Sequence, residues 1–155
     1  MTLLRIRNLS VEFSTASGTF RAVDGVDQDV KNGEILAIVG ESGSGKSVSM
    51  LALMGLLPWT ATVTADELMF DGQDLLTIDP KARRQIIGND LAMIFQEPMT
   101  SLNPVYSIGN QIAEVYHLHR QMNKKEARAA SIEMLRLVQI PAPEKRIDEY
   151  PHQLS

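Results

Sequence analysis

The N-terminal residues alternate between apolar and polar positions, a pattern that is typical of half-buried strands. The alternation covers residues 3–13 and 20–30, and a Ser/Thr/Gly-rich segment at 14–19 separates the two runs. Segments of this kind commonly form the turn of a hairpin. The pattern therefore predicts two antiparallel strands, the second with one solvent-facing side because Gln28 interrupts its alternation.

Two further segments, residues 35–39 and 91–95, are apolar at every position. Continuous apolar runs are typical of strands buried on both faces, so each predicts a strand of a parallel sheet. Residues 67–70 predict a short strand that ends at an Asp-Gly turn. Residues 59–65 are polar and rich in threonine, and they predict an exposed loop.

Helix signals lie between these predicted strands. The apolar segment 48–57 is too long for a typical strand and ends at Pro58, which predicts a helix. Asp79 followed by Pro80 is a typical helix start, an N-cap with proline at the first helical position, and Gly88 is a plausible end.

The C-terminal third changes character and predicts two longer helices, at residues 107–119 and 124–138. Asn123 and Glu126 have the spacing of a capping box before the second helix. That helix carries a predicted core-facing stripe. Its members are Ala127, Ala130, Met134, Leu135 and Val138.

A glycine-rich segment connects the apolar run at 35–39 to the predicted helix that follows it. It matches the spacing G-x-x-x-x-G-K-[ST] of a phosphate-binding loop, in the strand-to-helix context that this motif requires. We call residues 40–47 the phosphate loop. Its members are Gly40, Glu41, Ser42, Gly43, Ser44, Gly45, Lys46 and Ser47.

The residue types of the phosphate loop suit an anionic ligand. Gly40, Gly43 and Gly45 lack a Cβ and tolerate positive φ, so the backbone can wrap closely around an anion. The loop amides and the amino end of the following helix then point at the phosphates. Lys46 adds a positive charge for the β- and γ-phosphates, and the Ser47 hydroxyl can bind Mg²⁺.

These patterns predict an α/β fold, a P-loop NTPase core with an N-terminal antiparallel β region and the start of an α-helical subdomain. The predicted division is residues 1–96 for the β region and core, and residues 97–155 for the helical part. Arg83 and Arg84, with the lysines that precede the last helix, are predicted to lie on solvated helix faces.

Composition narrows the function classes. The chain has 155 residues, no cysteine and a net charge of −4, so disulfides and thiolate metal sites are excluded and nucleic acid is not expected as a main partner. No apolar segment has the length of a membrane span, and the N-terminal residues lack the pattern of an export signal. A cytoplasmic protein is expected.

Gln96 directly follows the second continuous apolar run, within the phrase Phe-Gln-Glu-Pro-Met-Thr-Ser-Leu-Asn-Pro. The D-x-x-G and N-K-x-D motifs of GTPases do not occur in the sequence. A glutamine in this position resembles the Q-loop of ABC ATPases. The resemblance implies that Gln96 is a catalytic residue whose amide reaches Mg²⁺ and the attacking water, together with Lys46 at the phosphates.

The last residues, Tyr-Pro-His-Gln-Leu-Ser, resemble the approach to the Leu-Ser-Gly-Gly signature of the same family. Taken together, the three phrases are similar to ATP-binding subunits of dipeptide and oligopeptide ABC importers, a group that includes nickel importers. The sequence is expected to be an N-terminal part that ends inside the signature, because no apolar run followed by Asp-Glu and no later switch histidine occur. His117, His119 and His152 all precede the signature and are expected to be surface or interface residues. We therefore expect binding of MgATP without turnover.

The resemblance also implies ligands and partners. ATP and Mg²⁺ are the expected cofactors, with Ser47 and Gln96 at the metal and an aromatic residue, Phe13 or alternatively Phe20, stacked on adenine. Expected partners are a second ATP-binding subunit in a head-to-tail dimer and transmembrane permease subunits, contacted through the loop after Gln96 on the cytoplasmic face of the inner membrane. The chain is also expected to self-associate through uncovered sheet edges. A soluble ABC-type ATPase of DNA repair or translation, or an interaction module that binds no nucleotide, remain the alternatives.

Overall fold

The structure, a computed structural model, describes residues 1–95 and 101–154. The chain divides into two compact units, Met1–Ile87 and Gly88–Ser155. The division into domains that the sequence suggests, between residues 96 and 97, stays a prediction.

An antiparallel sheet with five strands forms the first unit. The longest strands, β1 and β2, pair along most of their length and confirm the predicted N-terminal hairpin. β4 and β3 pair with the opposite edge of β1, so β1 lies at the centre. The strands are β1 (Thr2–Thr15), β2 (Gly18–Lys31), β3 (Ala61–Thr64), β4 (Glu67–Phe70) and β5 (Gln73–Asp74).

Inward-facing residues of β1 and β4 form the centre of this unit. Ile6, Leu9 and Val11 of β1 are almost completely buried there. The three-residue step from Ile6 to Leu9 spans a register shift at Asn8, whose φ is 51°. Leu68 of β4 and Leu75 pack into the same interior with similar burial. The period of two therefore holds on each side of this shift, and the extra residue moves the buried positions from even to odd numbers.

The prediction of two parallel strands is wrong. Residues 35–39 and 91–95 form no strand, and Ile35, Val39 and Ile94 are 98%, 90% and 99% exposed. A strand exists only through hydrogen bonds to a neighbouring strand. All strand pairs that form between the described residues are antiparallel, and none of them includes either segment.

The prediction of an exposed loop at residues 59–65 is also wrong for most of this segment. Ala61–Thr64 forms β3, which pairs with residues 10–13 of β1. Its Thr-Val-Thr sequence is β-branched at every position, which favours a pleated strand although two of the three side chains are polar. The prediction of a loop relied on polarity alone and so missed this edge strand.

Two short helices complete the first unit, α1 (Lys46–Met54) and α2 (Pro80–Ile86). The predicted start of α2 is confirmed, because the Asp79 carboxylate accepts hydrogen bonds from the backbone amides of residues 81 and 82. α1 ends before the predicted stop at Pro58, at Gly55, whose φ of 68° caps the helix in the left-handed region.

The second unit contains α3 (Ile108–Arg120), α4 (Lys124–Leu137), α5 (Pro143–Arg146) and a short 3₁₀ turn, Pro151–Gln153. The two predicted helices are confirmed, as is the capping box of Asn123 and Glu126. None of the helices that the structure describes is long and apolar enough to cross a bilayer.

The predicted apolar stripe of α4 is only partly correct. Ala127 and Leu135 are buried, whereas Met134 and Val138 are 42% and 60% exposed. Ser131 takes the intervening core position, since its Oγ donates to the Ala127 carbonyl at 2.7 Å and so satisfies its polar atom within the helix. The helical spacing thus predicted which face of α4 is buried, but it did not predict that Ser131 lies at the centre of that face.

Gly109 lies where α3 crosses the segment after α5. Its amide donates to the Ile147 carbonyl at 2.7 Å. A Cβ at this position would lie 2.6 Å from Ile147 Cγ1 and 2.7 Å from the Ile147 carbonyl oxygen. Ile147 is fully buried, so neither group has free space to move into.

Replacing Gly109 by alanine is therefore expected to destabilise the chain by about 1–3 kcal/mol, the usual cost of overpacking. Helix propensity alone predicts the opposite sign, a gain of about 1 kcal/mol. Urea denaturation followed by circular dichroism measures the change. Asn110→Ala, at the exposed neighbouring position, is the control and should leave stability unchanged or slightly higher. Equal stabilisation by both substitutions would contradict the close packing at Gly109.

Candidate functional site

The phosphate loop turns the chain from residues 35–39 into α1. Gly43 and Gly45 have φ values of 84° and 90°, in the left-handed region that favours glycine. Gly40 does not adopt positive φ, contrary to the expectation for all three glycines, but a Cβ there would lie 2.8 Å from Ser44 Oγ. Its role is close approach rather than a special dihedral angle.

Gly45 is the N-cap of α1 and packs directly on β2. A Cβ on Gly45 would lie 2.8 Å from the Ala22 carbonyl oxygen and 3.3 Å from Val23 Cγ2. The backbone of β2 therefore supports the loop from below. No sequence motif marks Ala22, because this contact arises from the packing of the hairpin against the loop.

Lys46 folds back over the loop that precedes it. Its Nζ donates to the Gly40 and Glu41 carbonyls, both at 2.7 Å, and to Ser44 Oγ at 3.1 Å. All three acceptors are neutral oxygens, so the positive charge of the ammonium group is not balanced by these contacts. The side chain thus holds a cation above the loop.

The amino end of α1 adds a second source of positive potential. Gly45 has no side chain to cap the helix, and no side-chain cap bond forms there. The first amides of a helix have no intrahelical acceptor, so those of Lys46 and Ser47 remain available to an anion. Ser49 strengthens this end differently, since its amide and its Oγ both donate to the Gly45 carbonyl, at 2.9 and 3.1 Å.

The outer residues of the phosphate loop are accessible. Glu41, Ser42 and Ser47 are exposed, and Ser47 lies in the first turn of α1, one residue after Lys46. The hydroxyl at this position is therefore accessible to a ligand of the loop. The structure thus brings the eight predicted loop residues together as one local site.

A cavity of about 400 Å³ lies between the phosphate loop and the β1–β2 hairpin. Val23, Asp24, Val39, Gly40 and Lys46 are among the residues that line it. Asp24 was not among the site residues predicted from the sequence, and nothing in its sequence context indicates that it lines a cavity. Its carboxylate is held by Arg21, at 2.9 Å from Nη1.

The aromatic candidates lie elsewhere on the hairpin. Phe13 and Phe20 occupy opposite positions of β1 and β2, where Phe20 is 62% exposed and Phe13 is partly buried. Neither lines the cavity beside Lys46. Gln96, the other predicted site residue, lies outside the described residues.

The histidines do not form a metal site. Within residues 1–95 and 101–154, no group of three or more His, Cys, Asp or Glu side chains could hold a metal ion. His117 Nδ1 lies 2.6 Å from the Met122 carbonyl oxygen, and the His152 ring stacks on Tyr150 with centroids 5.9 Å apart. These contacts are those of structural side chains.

Comparison with protein families decides which kind of phosphate loop this is. A family model described as "ABC transporter" matches residues 23–155, which include the whole phosphate loop. The chain belongs to the ABC transporter family. The match extends through the helical second unit, so membership rests on far more than one motif.

Curated relatives of this ABC transporter chain are ATP-binding proteins named for peptide transport. It is 54% identical to the dipeptide transport ATP-binding protein DppD of Haemophilus influenzae, over 100% of this chain and 47% of that protein. It is 44% identical to the oligopeptide transport ATP-binding protein OppD of Bacillus subtilis, over 99% and 43%. The chain therefore spans about half the length of these relatives.

A solved structure shares the fold. The ATP-binding cassette MJ0796, in a dimeric post-hydrolysis state bound to ADP and Pi, superposes with a TM-score of 0.75 at 23% identity, covering 98% of this chain and 63% of that one. The predicted fold class, an ABC cassette with an N-terminal antiparallel β region followed by helices, is confirmed, although the two parallel strands expected within it do not form.

Proposed function

We propose that this chain provides the nucleotide-binding part of an ATP-binding subunit that supports uptake of dipeptides or oligopeptides. The observation that carries the proposal is the Lys46 ammonium group, held by neutral oxygens beside the amino end of α1. The names of DppD and OppD supply the transport class and the peptide substrate.

The phosphate loop suits a nucleoside triphosphate. The close approach at Gly40 and the positive φ at Gly43 and Gly45 leave room for phosphate oxygens against the backbone. Lys46 can exchange its three neutral acceptors for phosphate oxygens, since charge-assisted hydrogen bonds are about twice as strong as neutral ones. Bound ATP would supply the phosphoanhydride bond whose hydrolysis provides the free energy for transport.

Two residues suit Mg²⁺ in this proposal. The exposed Ser47 hydroxyl, in the first turn of α1, is the protein ligand closest in sequence to Lys46. Gln96 would provide a neutral amide oxygen for the metal and orient the attacking water without adding charge. Both assignments rest on the family resemblance together with the accessibility of Ser47.

For the adenine base, we propose stacking on Phe13, with Phe20 as the alternative. The two rings belong to opposite positions of the hairpin and so lie on the same face of the sheet. Aromatic stacking needs an accessible ring face, which favours the tip of the β1–β2 hairpin over its buried centre.

Assembly completes the proposal. Because MJ0796 is dimeric in its ADP-bound structure, we propose that this cassette pairs head to tail with a second ATP-binding subunit. The loop after Gln96 would contact transmembrane permease subunits, which places the protein on the cytoplasmic face of the inner membrane. Self-association of this chain through sheet edges is part of the same proposal.

Titration calorimetry with ATP, ADP and AMP in the presence of Mg²⁺ tests the nucleotide site. We expect ATP and ADP to bind and AMP to bind at least tenfold more weakly, because the contacts of Lys46 and the loop amides are to the β- and γ-phosphates. Adenosine serves as the control for contacts to the base alone. Equal affinity for AMP and ATP, or no binding of any nucleotide, would refute the proposal.

A further inference from the structure

Arg83 is not the solvated surface residue that its sequence suggests. From α2, its Nη1 donates to the Leu75 carbonyl at 2.8 Å and its Nη2 to the Leu53 carbonyl at 3.1 Å. Its Nε is buried and has no hydrogen-bond partner among the residues that the structure describes. The neighbouring Arg84 is exposed, and its Nε donates to the Pro80 carbonyl of its own helix at 3.3 Å.

The guanidinium group of Arg83 fits tightly against the carboxyl end of α1. A Cβ on Gly55, the C-cap of α1, would lie 2.8 Å from Arg83 Nη2 and 2.9 Å from its Cζ. Gly55 also donates its amide to the Ala52 carbonyl at 3.1 Å and so closes the last turn. The side chain of Arg83 therefore occupies the space that only a glycine at position 55 leaves free.

Charge favours the same arrangement. α1 carries no basic residue in its own last turn, where the helix dipole is negative. Arg83 supplies a positive charge there, against the Leu53 carbonyl. Burial lowers the pKa of Arg83 from its ordinary value, but guanidinium groups remain protonated in proteins. A partly desolvated cation thus holds the end of α1 opposite to the phosphate loop.

We propose that Arg83 is a positioning residue for the phosphate loop, which it orients by clamping the carboxyl end of α1 to the Leu75 carbonyl. This inference rests on the proposed nucleotide-binding function. α1 has only nine residues, a length of about 14 Å. A helix this short would tilt as a unit, so a tilt at Leu53 would displace Lys46 and the loop amides at its other end.

Three variants of the full 155-residue chain test this role. Arg83→Met keeps the length and apolar stem but removes both carbonyl contacts, and Arg83→Lys keeps the charge but not the two-pronged geometry. Arg84→Met is the matched control, since it removes the same charge from the adjacent position. ATP affinity is measured by calorimetry at a temperature where circular dichroism shows each variant folded.

We expect Arg83→Met to weaken ATP binding about three- to tenfold and Arg83→Lys to show a smaller loss. Arg84→Met should stay within about twofold of the unchanged chain. A merely structural role would lower the melting temperature of the Arg83 variants but leave the ATP affinity of the folded protein unaltered. That result would overturn the proposal.

Hydrogen exchange without nucleotide gives a second readout, independent of ATP. In Arg83→Met, the amides of Gly55 and Leu56, which bond to carbonyls of α1, should exchange faster. So should the amides of Ser44 and Ser49, which bond to the Glu41 and Gly45 carbonyls of the phosphate loop. Faster exchange at the carboxyl end alone, with the phosphate loop unchanged, would also overturn the proposal. If the unchanged chain binds no ATP, the nucleotide-binding function fails, whereas the exchange data still decide whether Arg83 positions the loop.

Discussion

Replacement of Lys46 by alanine is expected to weaken ATP binding about 10- to 100-fold. Each charge-assisted hydrogen bond contributes about 1.5–3 kcal/mol, and about 1.4 kcal/mol corresponds to a tenfold change in affinity. The Lys46 ammonium group is held by three neutral oxygens, so it can turn to phosphate oxygens without breaking an ion pair. Titration calorimetry with MgATP measures the loss.

Lys81→Ala is the control for this experiment. Lys81 is an exposed residue in the first turn of α2, so it tests the removal of one positive charge away from the phosphate loop. Lys81→Ala should melt within a few degrees of the unchanged chain, because exposed polar substitutions change stability by about 0.5 kcal/mol or less. Lys46→Ala also loses three hydrogen bonds within the loop, so ATP affinity is compared at a temperature where circular dichroism shows both variants folded. If Lys46→Ala and Lys81→Ala bind ATP equally well, Lys46 has no role in phosphate binding.

Local signals predicted the elements that need little tertiary support. The hairpin of β1 and β2 follows from its alternation, and its turn forms within a few residues. Asp79 and Asn123 cap their helices as predicted, since a cap needs only the amides of the next turn. Such features depend on neighbours in sequence, which a single chain displays directly.

Elements that depend on distant partners were predicted less well. Residues 35–39 and 91–95 have the composition of buried strands, but composition cannot supply a neighbouring strand. β3 shows the converse, because a polar segment became a strand once β1 offered it a free edge. Pairing between remote segments decided all three cases, and the order of residues in one chain does not encode it locally.

The same distinction between local and distant partners applies to the candidate site. The glycines, Lys46 and Ser47 of the phosphate loop could be identified from spacing, since the motif is contiguous. The supports of that loop could not be identified in this way. Ala22 of β2 packs against Gly45, and Arg83 of α2 donates to the Leu53 carbonyl near the other end of α1. Both residues are distant in sequence from the loop that they support. Arg83 and Arg84 were both expected on solvated helix faces, but Arg84 is exposed whereas Arg83 donates to the Leu75 and Leu53 carbonyls.

The second large effect is expected at Gly45. Alanine at position 45 would combine left-handed strain of about 1–2 kcal/mol with an overlap that typically costs about 1–3 kcal/mol. The overlap is with the Ala22 carbonyl oxygen, 2.8 Å from the added Cβ, and a backbone atom of β2 cannot rotate away. The overlap would be relieved if the amino end of α1 moved off the hairpin, which would carry Lys46 away from the Gly40 and Glu41 carbonyls.

Gly43→Ala is the matched control, because Gly43 has a similar φ of 84° but a Cβ there meets nothing within 4 Å. Its stability should show the strain alone, about 1–2 kcal/mol, whereas Gly45→Ala should lose more stability and at least tenfold in ATP affinity. Urea denaturation and calorimetry on both variants separate the two contributions. Equal losses would mean that the backbone angle alone matters, and that β2 does not support the phosphate loop. A larger loss at Gly45 in both measurements would instead tie the N-terminal hairpin to nucleotide binding.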